Sequence, residues 1–151
     1  MKTNQALESV REPKPIVPVL AGVIFNPQGK VLLTRRHPRL SNGGRWEFPG
    51  GKLRPGEQPR DCLRRELREE LGIEVAVYDP VDVVTHGYEH RCIVLIAYRC
   101  RYLGGDIRLI DHDRYLWVDP GEVLQFELSA ADVPIARKLV QETARPDGDK
   151  P

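Results

Sequence analysis

No stretch of this sequence approaches the roughly 20 consecutive apolar residues of a membrane-spanning helix, and its first fifteen residues lack the hydrophobic segment of a secretory leader. The expectation is a cytoplasmic protein with no membrane partner. Cysteine is scarce. Cys62, Cys92 and Cys100 are odd in number and lack metal-finger spacing, which suits reduced thiols used as core filler. An excess of one charge is missing too, since 23 Lys and Arg face 22 Asp and Glu for a formal net charge of +1. That balance gives no reason to expect a surface that wraps duplex nucleic acid.

What remains is one domain's worth of chain, 151 residues without internal repeats. Residues 1–15 are polar and carry Pro13 and Pro15, so they read as a flexible lead-in to a domain over 16–143; residues 144–151 read as a disordered tail. Ile16 to Phe25 and Lys30 to Thr34 read as strands around the turn Asn26-Pro27-Gln28-Gly29, and Trp46 to Phe48 as a short strand. Pro59 opens a helix in which Leu63, Leu67 and Leu71 recur every four residues until Gly72 stops it. Strands are expected over Ile73–Tyr78, Val81–Thr85, Arg91–Tyr102 and Tyr115–Val118. A short helix from Asp119 or Pro120 to Leu124 follows, then a last helix capped by Ser129. The order predicts an α/β fold, a mixed sheet between layers of helices.

The first helix carries the chemistry. Glu66 and Glu70 lie one turn apart and Glu69 sits beside both, so three carboxylates crowd one sector of the surface. Arg65 offsets Glu69, yet Glu66 and Glu70 remain like-charged at a spacing that costs a few tenths of a kcal/mol. Oxygen-rich clusters suit hard cations, and magnesium in particular is held by a few carboxylates together with waters and phosphates. Alone, such a run is ordinarily a solvated face.

It is not alone. Gly51, five residues, Glu57, seven residues, Arg65-Glu66-Leu67, one residue, Glu69-Glu70, one residue and Gly72-Ile73 match every specified position of the Nudix box. The chain resembles Nudix hydrolases over residues 51–73 with high specificity, and their MutT branch more weakly from Pro18 to Leu139. The resemblance implies a Nudix fold, an α/β/α sandwich, and a Mg2+-dependent hydrolase of phosphoanhydride bonds, with Mn2+ as a substitute. It assigns Glu66, Glu69 and Glu70 to the ions, completed by the Gly50 carbonyl, with Asp111 as a further acid. Arg65 would orient carboxylates including Glu57, and Lys52 would face the phosphates. Glu66 is the candidate to accept the proton of the attacking water, with Asp111 as competitor. The physical need is that cations neutralise the phosphate oxygens and lower the water's pKa.

The run Arg45-Trp46-Glu47-Phe48-Pro49-Gly50-Gly51-Lys52 is similar to the approach to the box in MutT-type nucleoside triphosphate pyrophosphohydrolases. By position this implies a nucleotide pocket of Phe48, Arg36, Ser41 and Asp132, with Glu47, Pro49 and Arg91 beside it. Relatives that read oxidised guanine carry Asn where Asp132 stands; an ionised carboxylate only accepts, whereas an amide also donates. The expected substrate is 8-oxo-dGTP, in nucleotide-pool sanitation, with CTP or a modified pyrimidine (d)NTP as the alternative that Asp132 favours. Nucleotide sugars and RNA 5′ ends form a second alternative, and a ligand-sensing module without catalysis a third, although every box carboxylate is retained. The chain is expected as a monomer or homodimer. His86 and His90 are more simply surface or strand residues, and Trp117 is expected in the core.

Overall fold

The computed structural model describes residues 13–144; the expected lead-in up to residue 12 and the tail from 145 lie outside the described residues. Strand β1 (Ile16–Phe25) runs through the middle of a mixed sheet. It pairs in parallel with β6 (Cys92–Gly104) along its whole length and antiparallel with β4 (Gly50–Lys52). Strands β2 (Val31–Arg36) and β3 (Trp46–Glu47) extend the sheet on one side, with β7 (His112–Val118) paired to β2, and β5 (Glu74–Gly87) forms the other margin against β6. The alternation of β1 explains the layers. Ala21 and Val23 face one core with Leu33, while Leu20 and Ile24 face another with Leu32.

Helix α1 (Pro59–Leu71) spans the residues its leucine spacing predicts, burying Leu63, Leu67 and Leu71 on the Leu20 side. Gly72 ends it at φ 71°, a conformation glycine adopts without a Cβ penalty, and the last carbonyls are met by Gly72 N to Arg68 at 3.0 Å and Ile73 N to Leu67 at 3.4 Å. Helix α2 (Val133–Ala144) buries Ile135, Ala136 and Leu139 on the opposite face, completing the expected α/β/α sandwich. Among the described residues no helix is long and apolar enough to cross a membrane.

Four local expectations change. The strands expected at 73–78 and 81–85 are one strand, β5, whose register shifts between Val77 and Asp82 let it bend without breaking. The segment from Pro120 is a 3-10 helix, Pro120–Gln125, with Asp119 accepting from Gly121 N at 3.0 Å. Ser129 does not cap with its side chain: a 3-10 turn, Ala130–Asp132, precedes α2, and the Ser129 hydroxyl accepts from Asn42 Nδ2 at 2.6 Å. Trp117 is half-buried, 5.4 Å from the Tyr102 ring centre, so it edges the α1-side core rather than filling it.

Candidate active site

A cleft of about 740 Å³ opens where α1, β4 and the start of β6 meet, floored by Leu20, Ile93 and Leu95. Pairing sets its shape. Strand β4 lies against β1 with Gly50 opposite Ala21 and Gly51 opposite Leu20. A Cβ at Gly50 would collide with the Leu20 carbonyl, and one at Gly51 with the Glu66 carboxylate. These two glycines are therefore required by close approach, and Gly51 leaves the space that the Glu66 carboxylate occupies.

Helix α1 sorts its charges between the cleft and its rim. Arg65 grips Glu57 bidentately, Nε to Oε2 at 2.6 Å and Nη2 to Oε1 at 2.9 Å. Its Nη1 reaches Glu66 at 2.8 Å and Glu69 at 3.2 Å, and its Nη2 also donates to the Lys52 carbonyl at 3.3 Å. The guanidinium is held well above its ordinary pKa by Glu57, and its hydrogen bonds press the Glu57 carboxyl down to about 2. Glu66 and Glu70 line the cleft together with Asp111, Lys52 and the Gly50 backbone. Glu69 does not. It is half-exposed between Arg65 and Arg54, whose Nη2 stands 3.9 Å away.

The donor set fits a divalent cation. Burial pushes the Glu70 carboxyl up to about 7, with Glu66, Asp111 and Glu47 adding like charge and Arg36 opposing them. Such a cluster of acidic oxygens holds its charge poorly without a cation among them. Among the described residues no three such side chains close on one point. An ion at Glu66 and Glu70 would therefore complete its shell with water or phosphate, as magnesium prefers.

The residues expected around the nucleotide gather in the same cleft with one exception. Phe48, Glu47, Asp132, Arg36, Ser41 and Arg91 line it, whereas Pro49 is buried, accepting from Gly22 N at 2.8 Å. Phe48 is both core and wall: it packs in the α2-side core and is only 2% exposed. Arg36 donates from Nε to the Ser41 carbonyl at 3.0 Å and stands 3.7 Å from Glu47. Burial pushes Asp132 up to about 7, offset by its bond from Phe48 N, and burial with Asp132 nearby pushes Glu47 up to about 8. Three further lining residues are not assigned to the site from the sequence: Asn42, Tyr88 and Ser129, the last of which reads there as a helix cap. The Asn42-Gly43-Gly44 run reads simply as loop, and its meaning depends on a contact 87 residues away.

Comparison with known proteins finds relatives across nearly the whole described domain. A model of the NUDIX domain matches residues 15–142. The chain is 37% identical over 132 residues to a CTP pyrophosphohydrolase of Escherichia coli, covering 87% of this chain and 97% of that protein. It is 43% identical over 77 residues to an 8-oxo-dGTP diphosphatase of Proteus vulgaris, covering 51% of this chain and 69% of the relative. The crystal structure of a MutT protein from Methanosarcina mazei superposes with a TM-score of 0.79 at 28% identity, covering 87% of this chain and 98% of the other.

Proposed function

Because the chain belongs to the NUDIX domain family and is a hydrolase of phosphoanhydride bonds, we propose that it cuts nucleoside triphosphates to the monophosphate and pyrophosphate in the presence of Mg2+, with Mn2+ as a substitute. One observation carries this reading: Glu66 and Glu70 of one helix line the same cleft of about 740 Å³ as Lys52, Asp111 and Phe48. A divalent cation bound there supplies charge neutralisation at the phosphates and a more acidic water.

The chain's own residues do the rest. Lys52 attracts the phosphates, and Arg65, locked to Glu57, fixes the direction in which Glu66 points. Glu66 accepts the proton from the attacking water, with Asp111 across the cleft as the competing base. Glu69 serves through Arg65 and extends the acidic set at the rim. Phe48 supplies an apolar wall for the base, and Arg36, Ser41, Arg91 and Glu47 surround it.

The proposed substrate is 8-oxo-dGTP, in cleansing of the nucleotide pool; the Trp46 to Lys52 run and the 8-oxo-dGTP diphosphatase relative support it. Asp132 favours a second reading, cytidine triphosphate, because a buried carboxylate accepts from an exocyclic amino group, and a CTP pyrophosphohydrolase is among the relatives. The test is turnover of ordinary and oxidised (d)NTPs with Mg2+, with products assigned by phosphorus NMR. Pyrophosphate release that Glu66→Gln abolishes is expected; equal turnover by that variant, or none by the unsubstituted protein, rejects the reading. A tenfold preference for CTP over 8-oxo-dGTP would select the second substrate.

A further inference from the structure

We propose that Asn42 and Ser129 form a clasp across the cleft that holds Asp132 in position and so sets base preference, with Asn42 as a positioning residue. The proposal rests on the reading that the Phe48 and Asp132 part of the cleft receives the base.

The loop between β2 and β3 is fixed by its backbone. Leu40 N bonds the His37 carbonyl at 3.0 Å, Gly43 N the Leu40 carbonyl at 2.9 Å and Gly44 N the Arg36 carbonyl at 2.9 Å. Carbonyl oxygens of His37, Pro38 and Leu40 crowd Gly43 so closely that a Cβ there would lie 2.6–2.7 Å from all three. This packing leaves Asn42 at φ 61°, the sole non-glycine residue with positive φ among those described. Asparagine tolerates that conformation better than most residues, at some cost in strain. From there its amide crosses to Ser129 Oγ at 2.6 Å.

Ser129 is the right anchor for such a contact. It is buried, its N–H donates to the Trp46 carbonyl at 2.8 Å, and its carbonyl accepts from Asp132 N at 2.9 Å. Asp132 in turn accepts from Phe48 N at 2.9 Å. The hydrogen bonds thus run Asn42, Ser129, Asp132, Phe48, joining the loop to the carboxylate across the cleft that all four line. Without the Asn42 amide, the loop and the turn carrying Asp132 lose their side-chain tie, and that turn is left to its own backbone bonds, Ser129 N to the Trp46 carbonyl and Asp132 N to the Ser129 carbonyl. Discrimination between bases that differ in one or two polar groups depends on that placement.

Asn42→Gly tests this, because glycine keeps the positive φ while deleting the amide. Ser129→Ala removes the acceptor and leaves the loop untouched, giving a second variant should the first fold poorly. The readouts are the kcat/KM ratios for CTP over UTP and for 8-oxo-dGTP over dGTP, with the same ratios from equilibrium binding of α,β-methylene analogues. Each variant is expected to lower the ratio for the preferred base about three- to tenfold, the effect of one hydrogen bond. The double variant is expected to be no worse than either single one. Ratios within about twofold of the unsubstituted protein, or losses that multiply in the double variant, overturn the clasp. Turnover by the unsubstituted protein judges the proposed function separately, and absence of analogue binding by that protein overturns both.

Discussion

Asp132 Oδ1 accepts a hydrogen bond at 2.9 Å from the backbone nitrogen of Phe48, 84 residues away in sequence. The bond ties the turn before α2 to the strand end that leads into the Nudix box, and it leaves the second carboxyl oxygen for other partners. Asp132→Asn keeps an acceptor for Phe48 N while turning the other position into a donor. The variant is expected to stay folded and to lose about tenfold in kcat/KM for CTP relative to 8-oxo-dGTP, the result of leaving an amino group facing a donor. Steady-state kinetics with both substrates check this, and an unaltered ratio would remove Asp132 from base reading.

Gly51 and Glu66 share one small volume, so Gly51→Ala forces the Glu66 carboxylate aside. The flexible side chain yields more easily than the backbone, so the fold is retained while the carboxylate is misplaced. A shift on the order of 1 Å at such a group costs up to about 100-fold. The expected result is a kcat lower by about 10- to 100-fold with a melting temperature within about 3 °C of the parent. Wild-type kcat in this variant would show that the Glu66 position does not limit the reaction.

Local patterns in the chain report local structure well. The four-residue leucine spacing and the Pro59 and Gly72 signals define α1 to the residue, and the carboxylate run on it reaches the cleft through Glu66 and Glu70. The same run does not tell Glu69 from Glu70, because their directions depend on Arg65 and Arg54 competing for Glu69. The long β5 is read as two strands because the Tyr78-Asp79-Pro80 interruption looks like a turn, whereas pairing with β6 carries the strand through it. Ser129 looks like a helix cap for a similar reason: its true partner, Asn42, becomes a neighbour only after the sheet has assembled. Contacts of high sequence separation are what periodicity and spacing leave out.

Glu47 makes stability fall as pH rises from about 4.5 to about 8. Burial first, then the nearby Asp132, pushes its carboxyl from 4.5 up to about 8, with Arg36 acting against them. Between those values the folded protein keeps a proton that the unfolded chain releases, so stability falls as pH rises through the window. Glu47→Gln removes that dependence. Its melting temperature is expected to match the parent at pH 5 and to exceed it by about 5 °C at pH 9. Parallel calorimetric curves for the two proteins across this range would contradict the assignment.

His112 imposes the opposite dependence at the acid side. The ring is 4% exposed, and among the described residues neither nitrogen has a hydrogen-bond partner. Burial, together with the nearby Arg36 charge, lowers its pKa from 6.5 to about 4, against the pull of Asp111 and Asp113. Below pH 6.5 the unfolded chain therefore binds a proton that the fold rejects, and stability is lost progressively until pH 4, where both states are protonated. Leucine at this position removes both the unpartnered nitrogens and the titration. Each buried unsatisfied group costs about 1–3 kcal/mol, so His112→Leu is expected to be the more stable protein at pH 7.5 and to widen its advantage at pH 5. Urea unfolding at the two pH values measures this directly. A constant difference between the proteins would mean that His112 titrates alike in the folded and unfolded chains, and a less stable leucine variant would mean that the imidazole does hold a partner.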